Sequence, residues 1–142
     1  MNQEEMVALR EQHTANGFVV KDADLAAATM VEGASVMHLP TMSGGFGKNY
    51  LRGYYRGVFT PGIPRNTTAE TVDLLPGPAA TGRTVEVPLV VVVKFRDGLM
   101  ASERLYRDQA AVLAQIGLIT AEDLPMAEFT EAARFLRDEV MS

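Results

Sequence analysis

Asp108 is the residue of this chain whose type and neighbours best suit proton transfer. It closes the stretch Met100 to Asp108, which reads as a strand, and it stands directly before a helix-forming run that opens at Gln109. A carboxylate at the mouth of an apolar enclosure has its pKa raised by desolvation, which suits a general acid or base. The same position suits an N-cap, because Asp accepts from the free amides of a first helical turn. Tyr106 lies two residues earlier, and strand alternation sets it on the face of Asp108 with Arg104 and Ser102. A phenol beside a carboxylate can polarise a carbonyl oxygen, although an amphipathic core Tyr would occupy the same place. Glu103, Leu105 and Arg107 share the other face, where Glu103 and Arg107 suit a salt bridge across an interface. His38, near the end of an earlier strand, can serve as a base or donor, or sit satisfied in the core. His13 falls on the apolar stripe of the first helix and reads as structural.

Around these groups, the chain offers aromatic and thioether side chains. Tyr50, Tyr54 and Tyr55 project from one helical segment, and Met30, Met37, Met42 and Met100 can line a pliable apolar cavity. Tyr50, Tyr54, Met37, Met100 and Arg104 are therefore the candidate pocket residues. The two His lack a ligand spacing, and the chain has no Cys, so no metal site is expected. Gly44-Gly45-Phe46-Gly47-Lys48 lacks the spacer of a phosphate loop and has Asn49 where Ser or Thr should stand, so it reads as a turn.

The elements that must position these residues follow from spacing and caps. Asn2 with Glu5 forms a capping-box pattern before a helix carrying Met6, Leu9 and His13, with Gly17 as its stop. Asp22 caps a second helix that reaches Met30 and ends at Gly33. Ala34 to Leu39 reads as a strand, and a helix follows the glycines until Thr60-Pro61-Gly62-Ile63-Pro64 breaks it. Residues 67–75 read as a strand and 76–82 as a loop. Thr84 to Phe95, with its run Leu89 to Val93, reads as a central strand covered on both faces. Asp97-Gly98 is a hairpin signal. A helix over Gln109 to Ile116 stops at Gly117, Thr120 with Asp123 opens another, and Phe129, Ala132, Ala133, Leu136 and Val140 are helically spaced. Helices early and hairpin-linked strands later give an α+β expectation: a curved antiparallel sheet with helices on one face.

At 142 residues and 47% hydrophobic, the chain suits a single domain over residues 1–142 with a real core. A net charge of −5 argues against a nucleic-acid partner. The apolar run Val90 to Val93 is far too short to span a bilayer, and the acidic start Met1-Asn2-Gln3-Glu4-Glu5 is no secretory signal. The expectation is a soluble cytoplasmic chain.

Three stretches carry a family likeness. They are Ala80-Thr81-Gly82-Arg83-Thr84-Val85-Glu86-Val87, Val93-Lys94-Phe95-Arg96-Asp97-Gly98, and Glu103-Arg104-Leu105-Tyr106-Arg107-Asp108-Gln109 with Leu113 to Leu118. A looser echo is His38-Leu39-Pro40-Thr41 with Gly44-Gly45-Phe46-Gly47. Together they resemble the NTF2-like superfamily, in its SnoaL-like (polyketide cyclase-like) branch. That resemblance implies a cystatin-like sheet with helices on its concave face, an apolar small-molecule ligand, and a homodimer through the sheet. It implies no cofactor. It also matches Asp108 to the acid/base Asp of SnoaL-like cyclases, acting on an apolar carbonyl substrate, with Tyr106 or His38 stabilising an enolate. Two departures stand out: the segment between residues 60 and 80 is shorter than the family's hairpin, and Arg107 replaces a common Trp. The short segment favours a rival reading, a non-catalytic ligand-binding or dimerisation module.

Overall fold

The computed structural model describes residues 1–62 and 82–120, with residues 122, 131, 133–135 and 138 beyond them. The expected strand over 67–75, most of the loop after it, and Asp123, Phe129, Ala132, Leu136 and Val140 lie outside the described residues. Residues 131, 133–135 and 138 are helical. The described residues group into two compact units, 1–62 with 91–105, and 82–90 with those from 106 onward.

Helix α1 (Gln3–Phe18) starts at the capping box read from the sequence. Glu5 N donates to Asn2 Oδ1 at 2.9 Å, and Asn2 N donates to Glu5 Oε2 at 2.8 Å. Glu4 and Glu5 also complement the helix dipole. Gly17 does not stop this helix. It is buried inside it, where a Cβ would meet the Phe59 ring at 3.8 Å. The left-handed residue after the helix is instead Lys21, with φ 59°. Asp22 caps α2 (Ala23–Ala28), its Oδ1 accepting from Asp24 N and Leu25 N at 2.8 and 3.0 Å. The helix ends before Met30, earlier than expected, because Met30 pairs with Met100 and begins β1 (Met30–His38). Gly33 therefore lies inside a strand.

The glycines read as a turn form strand β2 (Ser43–Phe46), antiparallel to β1. Gly44 has φ 133°, and a Cβ there would strike the Val36 carbonyl. Close approach of two backbones, not chain reversal, is what requires glycine here. Helix α3 (Lys48–Tyr54) passes into a π-turn over Tyr55–Phe59 and a last helical turn, α4 (Thr60–Gly62). The chain is thus helical through Thr60–Gly62, past the break expected at Thr60.

Strand β3 (Leu89–Arg96) joins β4 (Leu99–Arg107) through Asp97 and Gly98, both left-handed at φ 53° and 74°, the pairing of a type I′ hairpin. The sheet order is β2-β1-β4-β3. Two expectations fail here. The sheet is mixed, since β1 and β4 run parallel with Ser35 opposite Ser102 and His38 opposite Leu105. A parallel pair needs a long crossover, and the chain through α3 supplies one. Among the described residues strand β3 ends the sheet, and it starts later than Thr84. Val91, Val93 and Phe95 pack on the core, while Val90 and Val92 are exposed. Four consecutive valines report β-propensity, and burial depends on which strand lies next to them.

In the first unit the helices cover one sheet face. Val36 of β1 and Leu105 of β4 pack with Leu51, Tyr54, Tyr55 and Phe59 in a single core cluster. In the second unit, Asp108 caps α5 (Gln109–Gln115), which closes at Gly117 with φ 80° as expected. The Gln115 side chain clamps residue 86 across α5, accepting from Glu86 N at 2.9 Å and donating to Glu86 O at 3.0 Å. Among the described residues no helix is long and apolar enough to cross a membrane.

Candidate functional site

The buried polar groups of the first unit meet around His13. The apolar stripe of α1 carries this imidazole into the interior, where it is 5% exposed. The π-turn brings Tyr55, 3% exposed, to one side of it, with Tyr55 Oη 3.2 Å from His13 Nε2. Residue 103, near the middle of β4, brings a carboxylate: Glu103 Oε2 lies 3.8 Å from the same nitrogen. On the other side of the ring, His13 Nδ1 is 2.7 Å from Thr29 Oγ1 and 3.2 Å from the Ala26 carbonyl.

Burial dominates the electrostatics. It lowers the His13 pKa to about 4, opposed by the hydrogen bond that the Ala26 carbonyl accepts and aided by a small push from Arg10. It raises Glu103 to about 7, with Arg10 opposing. It raises the Tyr55 phenol well above its ordinary range, and the charge of Glu103 adds to this. Near pH 7, His13 is therefore a neutral base, Tyr55 a protonated donor, and Glu103 close to its titration midpoint. His13 and Glu103 do not form an ion pair under these conditions, because burial disfavours the charged form of each. An uncharged base beside two acids, one poised near neutrality, can take a proton from carbon and steady the oxygen that gains charge.

Phe59 joins this group to further aromatic residues. Its ring stands 5.4 Å from that of Tyr55, 5.8 Å from His38, 6.3 Å from Tyr54 and 5.0 Å from Phe18, between centroids. Of the residues singled out in the sequence, the fold thus gathers His38 and Tyr54 near the cluster. His38 ends β1, buried, opposite Leu105. Tyr54 donates to Ser43 Oγ at 3.4 Å, and burial raises its pKa. Met100 is fully buried and fills core, whereas Tyr50 is 60% exposed and lies against Gly45. Met37 pairs with Arg104 in the β1–β4 register.

The two faces of β4 are exchanged relative to the sequence reading. Glu103 points to the helices rather than to an interface. Arg104, on the opposite face, donates to Ser35 Oγ at 3.1 Å and to the Glu103 carbonyl at 3.0 Å. Alternation sets Tyr106, 43% exposed, on the Arg104 face. In the second unit Asp108 is exposed, and its Oδ1 accepts from Ala111 N at 3.1 Å as the N-cap of α5. Sequence reasoning missed His13 and Glu103 as a pair. The available signal was one titratable residue on an otherwise apolar helical stripe and another inside a strand.

No family model matches the chain, and no curated protein matches it. Solved structures do. A protein from Jannaschia sp. CCS1, assigned as a SnoaL-like polyketide cyclase, superposes with a TM-score of 0.61 at 20% identity, over 82% of this chain and 94% of that one. The epoxide hydrolase/cyclase-like enzyme SalBIII, of pyran ring formation in salinomycin, gives 0.56 at 11% identity, over 77% and 95%. A protein with a ketosteroid isomerase-like fold from Catenulispora acidiphila DSM 44928, in complex with trimethylamine, gives 0.54 at 15%, over 82% and 97%.

Proposed function

We propose that this chain, an NTF2-like domain by its fold, is a small acid/base enzyme acting on an uncharged, apolar carbonyl compound or epoxide. The observation that carries this reading is the buried meeting of His13, Tyr55 and Glu103. His13 Nε2 removes a proton next to the carbonyl, or from a water. Protonated Glu103 donates to the oxygen on which charge develops, and Tyr55 joins it when its hydroxyl, 3.2 Å from Nε2 in the resting fold, gives up that nitrogen to the substrate proton. A carboxylic acid kept neutral by burial is a good donor in such a role. Met30, Leu51, Phe59 and Leu105 give the surrounding core its apolar character, which favours an apolar substrate. That SalBIII is epoxide hydrolase/cyclase-like, and that the Jannaschia protein is assigned to the polyketide cyclases, supports the substrate class. The exposed valines of β3, Val90 and Val92, support a second copy of the chain as the cover of that strand's outer face.

The test is a turnover screen of enolisable ketones, lactones and epoxides, followed by variants on whichever substrate reacts. His13→Gln should lower turnover by about 10²-fold or more, the scale of a lost general base. Asp108→Asn, which keeps the cap, should stay within a few-fold of the parent. The reverse outcome, collapse in Asp108→Asn with His13→Gln active, would move the acid/base centre to Asp108. Absence of turnover across all three classes would favour the non-catalytic binding module.

A further inference from the structure

We propose that Thr29 is a positioning residue for His13, fixing the proton on Nδ1 so that the Nε2 lone pair faces Tyr55 and Glu103. The inference rests on the reading of His13 as the base. A threonine hydroxyl has one proton. Here it goes to the Ala26 carbonyl, 2.6 Å from Thr29 Oγ1. The oxygen can then meet His13 Nδ1, at 2.7 Å, only as an acceptor. The Ala26 carbonyl, itself 3.2 Å from Nδ1, points to the same tautomer. With Nδ1 unprotonated, two lone pairs would face each other there. Proton on Nδ1 leaves Nε2 bare, with the Tyr55 hydroxyl at 3.2 Å and the Glu103 carboxyl at 3.8 Å.

The threonine is held firmly enough to impose this choice. It is 4% exposed and forms the C-cap of α2, its N–H returning to Ala26 and Ala27. Its carbonyl accepts from Met100 N at 3.0 Å, so the start of β4 also fixes it. Helix and strand together set the place of the hydroxyl. The opposite tautomer would put a proton on Nε2 and leave His13 without a basic atom toward the other two groups.

Tautomers are read directly in long-range proton–nitrogen correlation spectra of the full chain labelled with 15N-histidine, recorded at pH 7.5. His13→Gln assigns the His13 signals by removing them. The wild type should show a protonated Nδ1 and a pyridine-like Nε2. Thr29→Val keeps the shape and removes the hydroxyl. Its Nε2 resonance should shift toward the protonated range as the second tautomer becomes populated, and Thr29→Ser should restore the wild-type pattern. A wild type protonated on Nε2, or a Thr29→Val spectrum the same as the wild type, would overturn the proposal. If Thr29→Val lacks a native near-UV circular dichroism spectrum, Thr29→Ala is read by the same criteria. These spectra need no substrate. The role of Thr29 therefore stands or falls separately from the role of His13 in turnover.

Discussion

Replacing Glu103 by Gln should make the folded chain more stable, and increasingly so as pH rises. The carboxyl moves from an ordinary 4.5 to about 7 in the fold, chiefly through burial. Between those values the unfolded chain has already released the proton and the folded chain still holds it. Stability contributed by this group is thus intact below about 4.5 and is lost as pH climbs toward 7. The 2.5-unit difference between the two values, at about 1.4 kcal/mol per unit, amounts to roughly 3 kcal/mol. Glu103→Gln removes that ramp. Its advantage over the wild type should be near zero at pH 4.5 and grow to roughly 3 kcal/mol by pH 8, about 6–12 °C in Tm for a domain of this size. His13 carries a ramp of opposite sign. Its pKa falls from 6.5 to about 4, so its contribution is intact above 6.5 and is lost as pH falls toward 4, again by roughly 3 kcal/mol. In the wild type the two ramps nearly cancel between pH 4.5 and 8. Each variant exposes the other's slope: Glu103→Gln loses stability toward acid and His13→Gln loses it toward base. The assay is urea unfolding followed by circular dichroism at five pH values across this range. Taking differences from the wild type removes the contribution of all other titrating groups. A Glu103→Gln difference that stays constant with pH would refute the burial of an ionisable Glu103 and, with it, the acid assigned to the site.

Three further outcomes are expected. Asp108→Ala should cost about 1 kcal/mol through loss of the α5 cap, with Asp108→Asn close to neutral, measured by chemical unfolding. Gly44→Ala should destabilise by about 1–3 kcal/mol or more, because its Cβ meets the Val36 carbonyl, and Gly98→Val should be strained at φ 74°; an unchanged Tm in either would contradict the β1–β2 or β3–β4 pairing. Light scattering at micromolar concentration should give twice the mass of one chain, and Val92→Lys should shift it toward one; a strictly monomeric wild type would remove the second copy from the outer face of β3.

Local chemistry was legible along the chain wherever a residue acts on its near neighbours. Asn2 with Glu5, Asp22 and Asp108 cap helices because a short polar side chain meets amides two or three residues on. Asp97-Gly98 and Gly117 turn the chain because their backbones tolerate positive φ. The α+β order followed from the same signals, and so did the likeness of residues 81–118 to a known fold. What remained hidden depends on partners far away in sequence. Gly44 looks like a turn until the Val36 backbone lies against it. The valines of β3 look covered on both faces until the fold leaves Val90 and Val92 exposed. The period of two in β4 separates Glu103 from Arg104 but does not say which faces the helices, and a parallel β1 decides that. His13 and Glu103 lie far apart in the chain, and neither has an unusual pKa by itself. Only when α1, the π-turn and β4 close around both, and water is excluded, does burial push one down and the other up. Desolvation belongs to the surroundings of a group, and surroundings exist only after folding.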